Sequence, residues 1–236
     1  MINLTKAKSL ARVTQEWDKV AALREKQVRS GKDHSANFVL APAILRQIPR
    51  SRSLLDIGCG TGWLTSRAAK LAEVTVGIDP SKMSIEIANS ENTGIAVSYY
   101  AESVERYSRS GRRFDTAISN MAASSAPHLN TFISASRKLL KKQGVYVITI
   151  PHPCFWPIYW GYISDPRFNY QRMLAVEGEF RIQEETSKFL TTHFHRPLAG
   201  YIDAITGSGF RIEAIQELTG RGFPLPRFMV IKARAV

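Results

Sequence analysis

Along this chain, apolar residues first recur at helical spacing and then condense into short runs separated by helical segments. Residues 4–29 are rich in helix formers, with Leu10, Val13, Trp17, Val20, Ala21 and Leu23 on a helical period, which predicts a long first helix. A second helix is expected over 36–48, stopped at Pro49. From Ser53 the rhythm changes. Leu54–Ile57, Val74–Ile78, Ile95–Tyr99, Thr116–Ser119 and Val145–Ile150 have the character of buried strands, and the alternation of strand and helix predicts a parallel sheet covered on both faces.

After Ile150 the regularity stops: PHPCFWPIYWGYISDPRFNY holds seven aromatics and four prolines in twenty residues. Beyond it Glu177–Gln183 alternates like a strand, Lys188–His193 can pair with it, and His195–Ser208 is expected to be helical up to Gly209. Phe210–Glu217 and Phe228–Ala233 then flank the turn LTGRGFPLP, a closing hairpin. The expected organisation is an N-terminal helical lid (1–52), a nucleotide-binding core (53–150), an aromatic-rich cap over the sheet's carboxyl edge (151–194), and a helix with a hairpin completing the sheet (195–236).

Composition narrows the function classes. The 44% hydrophobic content is enough for a substantial core. Cys59 and Cys154 are too few and too far apart for a disulfide framework or a zinc site, so no metal is expected. With no secretory leader and no long apolar run, the expectation is a cytoplasmic protein without a membrane span. The formal net charge is +12, and residues 1–53 alone carry eleven Lys and Arg against four Asp and Glu. Such a face is either an ordinary solvated helix surface or a means of steering an anionic partner.

The chemistry concentrates in LLDIGCGTGWLT, residues 54–65. A dinucleotide fingerprint counted from Gly58 needs glycine at 63, where Trp63 stands. What is present is Asp56, Gly58, Gly60 and Gly62 at every second position, then Asp79 at the end of the next strand. That pattern suits S-adenosylmethionine, whose amino group, sulfonium and ribose diol call for carboxylates at both ends rather than a pyrophosphate cradle. An acid at the second strand also serves ribose in dinucleotide folds.

The chain here resembles the class I S-adenosylmethionine-dependent methyltransferases. LLDIGCGTG, VGIDPSKM, YYAESVERY, FDTAISNMA and LLKKQGVYVITI are similar to their successive motifs, in order, over residues 53–150. The resemblance implies an α/β, Rossmann-like seven-stranded sheet with its last strand antiparallel, and S-adenosylmethionine as cofactor, leaving as S-adenosylhomocysteine. It implies that Gly58, Cys59, Gly60 and Gly62 line the cofactor, that Asp56 lies near its amino end, and that Asp79, with Pro80, holds the ribose. Met83 is implied near the adenine, Ala101, Glu102 and Ser103 at the adenine edge, and Asn120 and Met121 facing the transferred methyl. HPCFW, HRPLAGYIDAITGSGF and PRFMVIKAR resemble the small-molecule branch that includes ubiquinone and menaquinone biosynthesis and natural-product tailoring enzymes. One departure is LRE at 23–25, where relatives often carry an aromatic that covers the cofactor.

Methyl transfer from a sulfonium needs donor and acceptor held close and dry, and an oxygen or nitrogen acceptor must also lose a proton. His152, directly after the fifth strand, and His195 are the candidate bases. Phe155, Trp156, Tyr159 and Trp160 are either cap core or the wall of an acceptor pocket. The expected partner is therefore a small-molecule acceptor of specialised-metabolite or cofactor-precursor type. RNA or another macromolecule is a less favoured alternative acceptor, suggested by the pI of about 9.9 and the basic N-terminal helices. Against it, SNMA lacks the D/N-P-P-Y/F sequence by which many base-amino methyltransferases hold a flipped base. A non-catalytic cofactor-binding scaffold is a third reading.

Overall fold

The computed structural model describes residues 2–182 and 185–236. Among them a seven-stranded sheet forms the centre, built from β2 (Ser51–Ile57), β3 (Ala72–Ile78), β4 (Val97–Tyr100), β5 (Phe114–Asn120), β6 (Leu140–Pro151), β9 (Phe210–Thr219) and β10 (Pro226–Ala235). Its spatial order is β4-β3-β2-β5-β6-β10-β9. The five strands from β2 to β6 pair in parallel, and β10 runs antiparallel between β6 and β9. This is the expected Rossmann-like sheet with its last strand reversed.

Both faces of the sheet are covered, which is why its central strands are continuous apolar runs rather than alternating ones. On one face Ile57, Ile78, Tyr146 and Ile148 pack with residues of α5 (Val104–Tyr107), α6 (Leu129–Lys138) and α8 (Leu198–Gly207). On the other, Leu54, Ile118, Val147 and Val230 pack with α2 (Ala41–Gln47) and α3 (Trp63–Ala68). Parallel pairing puts the carboxyl ends of β2, β3, β4, β5 and β6 along one edge, where the intervening loops gather.

A second, three-stranded antiparallel sheet stands over that edge, in the order β1 (Ile2–Thr5), β7 (Leu174–Ile182), β8 (Glu185–His195). Here the structure corrects the pattern reading. The first helix, α1, begins at Leu10, where the Ser9 hydroxyl caps the Arg12 amide, and residues 2–5 pair instead with Ala175–Gly178 of β7. Leu4 is buried against Tyr162 and Val176, a tertiary contact that overrides local propensity. Likewise His195 ends β8 rather than starting a helix. Arg196 precedes a proline, a position sterically biased away from helix, and α8 starts at Leu198 after Pro197. The expected strand ending at Gln183 runs to Ile182, and Gln183 itself lies outside the described residues.

The helix α1 (Leu10–Arg29) lies between the two sheets. Val13 and Trp17 pack on Ala175 and Phe194, while Asp18 accepts a hydrogen bond of 2.6 Å from the hydroxyl of Ser81, which caps α4 (Lys82–Glu91). Among the described residues no helix is long and apolar enough to cross a membrane.

Leu4→Ala is expected to cost about 2–3 kcal/mol by leaving a cavity. Amide exchange should accelerate at Val176 and Gly178 while β6 stays protected; equal acceleration in both sheets would mean that β1 does not act locally.

Candidate active site

The turn after β2 is fastened to the neighbouring strand. The amides of Gly58 and Cys59 both donate to the carbonyl of Ile78, at 2.8 and 3.0 Å. Gly58 has φ of +74°, and a Cβ there would collide with the Cβ of Ala122, so the close passage of this turn beneath the loop after β5 requires glycine. At Gly60 an added Cβ would meet nothing within 4 Å, because the turn faces open space.

Asp79 completes this corner. Its Oδ2 accepts from the Gly60 amide at 2.9 Å and its Oδ1 from the Ser81 amide at 2.8 Å, so each oxygen retains a lone pair for a ligand. Burial, opposed by those two amides, pushes its pKa up to about 6. Asp56 lies behind the turn, buried. Thr65 Oγ1 donates to its Oδ2 at 2.7 Å, its Oδ1 has no partner, and burial raises its pKa to about 7.

A cavity of about 990 Å³ opens over these residues. That is at the upper end of small-molecule sites, roughly 300–1,000 Å³, and leaves room for more than one ligand. It is lined by Gly58, Cys59, Gly60, Asp79, Pro80, Glu102 and Ser103 from the ends of β2, β3 and β4, by Asn120 and Met121 from the end of β5, and by Trp156, Tyr159 and Trp160 after β6, a succession that follows the strand order β4-β3-β2-β5-β6 along the edge. The structure thus brings twelve of the expected site residues to one space.

The others are placed elsewhere. Asp56 and Gly62 lie behind the turn, Gly62 as the left-handed residue that starts α3. Met83 is 44% exposed on α4, with its amide donating to Asp18, and Ala101 is exposed after β4. His152 is buried away from the cavity, its Nε2 2.7 Å from Glu217 Oε1, with Phe155 stacked on its ring. His195 is also buried. Its Nε2 donates to the carbonyl of Tyr170 at 3.1 Å, and it meets the cavity nowhere.

Two other histidines do line the cavity: His34, whose ring packs on the exposed Phe38, and His193, two residues before His195 on β8. Trp156, Trp160 and Tyr162 surround the His193 ring, its Nε2 is buried without a partner, and burial pushes its pKa down to about 3, holding it neutral. Pattern alone does not identify His193, because the face of β8 that meets the cavity is set by its pairing with β7. Trp17 and Arg24 of α1 also line the cavity, so the lid has an aromatic one and a half turns before LRE and an arginine within it.

Met121 has φ of +62°, a left-handed conformation that costs a side-chain-bearing residue about 1–2 kcal/mol. It is held there because its amide donates to both the carbonyl and the hydroxyl of Thr149 at 3.0 Å, and its carbonyl accepts from Ser124 at 2.8 Å. Thr149 in turn donates to Asn120 Oδ1 at 2.7 Å. This network turns the chain sharply at the end of β5 and sets its backbone against the middle of the cavity.

These residues fit S-adenosylmethionine. The Asp79 oxygens are free to accept from a ribose diol, the carboxylates at Asp56 and Asp79 favour a cationic ligand, and the bare turn at Gly60 admits close approach. Burial, with the nearby carboxylates, raises the Cys59 thiol well above its ordinary value and keeps it protonated, so it offers no nucleophile. Among the described residues no group of three His, Cys, Asp or Glu is gathered as for a metal ion.

Residues 54–144 match the family described as "Methyltransferase domain". A ubiquinone biosynthesis O-methyltransferase of Bartonella quintana is 32% identical over 98 residues, 41% of this chain and 40% of that protein. The match therefore spans about two fifths of that relative's length. Among solved structures, the DhpI-SAM-HEP complex superposes with a TM-score of 0.70 at 17% identity, covering 98% of this chain and 100% of that one. The 1,6-didemethyltoxoflavin-N1-methyltransferase of Burkholderia thailandensis, solved with 1,6-didemethyltoxoflavin and S-adenosylhomocysteine bound, gives 0.67 at 14% identity over 100% and 95%. At these identities the likeness to solved structures establishes the fold.

Hydroxyls of a ribose bind the charged form of Asp79, so S-adenosylhomocysteine affinity should be full above about pH 6 and weaken as pH falls through that value. Asp79→Asn should flatten this dependence in a calorimetric titration from pH 5 to 8; an unchanged profile would show that Asp79 does not bear the ligand.

Proposed function

We propose that this chain, a class I S-adenosylmethionine-dependent methyltransferase by its segment 54–144 and its fold, transfers the methyl group of S-adenosylmethionine to an oxygen or nitrogen of a small molecule. The observation that carries the reading is the shape of one cavity. It has a carboxylate and glycine turn suited to the cofactor at one end and an aromatic chamber with a neutral histidine at the other.

When bound, the cofactor supplies an electrophilic methyl on a sulfonium. The protein's part is positional. Asp79 holds the ribose, and the Gly58–Gly60 turn admits the amino-acid portion. The strained end of β5 presents Asn120 and Met121 between donor and acceptor. Trp156, Tyr159 and Trp160 supply flat walls for an acceptor and exclude water, while His193 Nε2 accepts a hydrogen bond from the acceptor's O–H or N–H. Burial keeps this imidazole a weak base, so it takes the proton only late, once the bond to carbon has made that O–H or N–H strongly acidic. The chamber is roofed by the short helix α7 (Trp156–Trp160) and by β8, which favours a small acceptor over a polymer. The O-methyltransferase named among the sequence relatives and the N1-methyltransferase among the structural ones both support an acceptor of this size.

The test is transfer of labelled methyl from S-adenosylmethionine, offered in parallel to a metabolite extract and to total RNA. Label in a low-mass product supports the reading, and label confined to RNA, or none in either, opposes it. His193→Ala should lower kcat by about 100-fold or more, with S-adenosylhomocysteine affinity within about twofold, and His152→Ala should stay within about threefold of the native rate. The reverse ranking would return the proton-accepting role to His152.

A further inference from the structure

Arg227, at the acceptor end, is a buried cation that pairs with no carboxylate among the described residues. Arg227 lies on β10 and is 6% exposed. Its Nη1 donates to the hydroxyl of Tyr159 at 2.7 Å and its Nη2 to the hydroxyl of Ser35 at 3.0 Å, while its Nε is buried without a partner. The guanidinium stacks 4.7 Å from the Tyr159 ring centroid and 5.4 Å from that of Phe228. Among the described residues no carboxylate pairs with it. A buried guanidinium without an acid is costly to hold, and such a group is normally completed by an anion.

The surroundings are built to hold this arginine in place. A Cβ on Gly220 would overlap the guanidinium, so the bare backbone of the turn between β9 and β10 leaves room for Arg227 in this position. Tyr159 and Ser35 both accept from Arg227, which leaves each hydroxyl its own proton to donate. A cationic fork and two O–H donors thus adjoin one point, and Arg227, Tyr159 and Ser35 all line the cavity. Arg221, exposed in the same turn, adds a second positive charge to the lining.

We propose that Arg227, with Tyr159 and Ser35, forms an oxyanion site, and that the methyl acceptor carries a carboxylate or phosphoryl group that binds there. The proposal rests on the methyl-transfer reading for the identity of the ligand as acceptor, but the anion site stands on the arginine itself. In the sheet β5 and β6 separate β10 from β2, whose following turn faces the cofactor, so the anion belongs to the acceptor rather than to the cofactor's own carboxylate. The acceptor would lie with its anionic end on Arg227 and its methylated atom towards Asn120 and His193.

All four tryptophans, Trp17, Trp63, Trp156 and Trp160, line the cavity, so intrinsic fluorescence reports on its contents. Benzoate and phenylphosphonate, titrated with and without S-adenosylhomocysteine, should each bind the native protein at least about tenfold more tightly than benzamide. R227Q should abolish that preference, R227K should keep part of it, and both should bind S-adenosylhomocysteine like the native protein, which also shows that they are folded. Equal binding of benzamide and the anions, or an anion preference that survives R227Q, would overturn the proposal. So would a tenfold loss of S-adenosylhomocysteine affinity in R227Q with R227K normal, which would assign the anion to the cofactor. If the native protein binds no S-adenosylhomocysteine, the methyl-transfer reading fails, and the anion preference without it still decides the role of Arg227.

Discussion

The carboxylate of Asp79 ties together the two loops that make the cofactor end of the cavity. By accepting from the amide of Gly60 it fixes the turn after β2, and by accepting from Ser81 it starts the loop into α4. Both contacts are local consequences of parallel pairing between β2 and β3, which brings the ends of these strands side by side. The same pairing buries the acid, and the burial raises its affinity for a proton. A carboxylate in this position is stabilised by partners that donate to it, so the geometry that builds the turn also prepares a site for a diol.

The acceptor end depends on contacts across long stretches of chain. His193 comes from β8, Trp156 and Tyr159 from the helix after β6, Ser35 from the segment after α1, and Arg227 from the last strand. They meet because β1, near the start of the chain, completes the β7–β8 sheet, and because β10 inserts between β6 and β9. The cavity therefore has one wall made of the sheet's own loops and another made by a small separate sheet and α1. Of the acceptor-end residues only His193 comes from the second wall; Trp156, Tyr159 and Arg227 belong to the first.

How much of this was legible in the sequence follows the same division. The five parallel strands could be placed because each is a continuous apolar run. The glycines and Asp79 could be found because their spacing is set by one turn and one strand length. Residues 2–5 could not be recognised as a strand, since their pairing partner lies some 170 positions away and their composition does not oppose helix. His152 was an attractive base because it follows β6 directly, yet a side chain at a strand end can point either way, and this one turns to Glu217. His193 lay in a segment expected to be a strand, but which face of that strand meets the cavity is decided by its pairing with β7. The left-handed Met121 is invisible to pattern because the hydrogen bonds that hold it come from Thr149 and Ser124. Arg227 similarly gains significance only because, among the described residues, no acid pairs with it.

The most direct measurement is a crystal structure with S-adenosylhomocysteine bound. The ribose hydroxyls are expected on Asp79, the amino-acid portion over the Gly58–Gly60 turn, and the sulfur directed past Asn120 towards the chamber of Trp156 and His193. Ligand density with the ribose away from Asp79, or with the sulfur turned from that chamber, would contradict the account of the cavity as a methyl-transfer site.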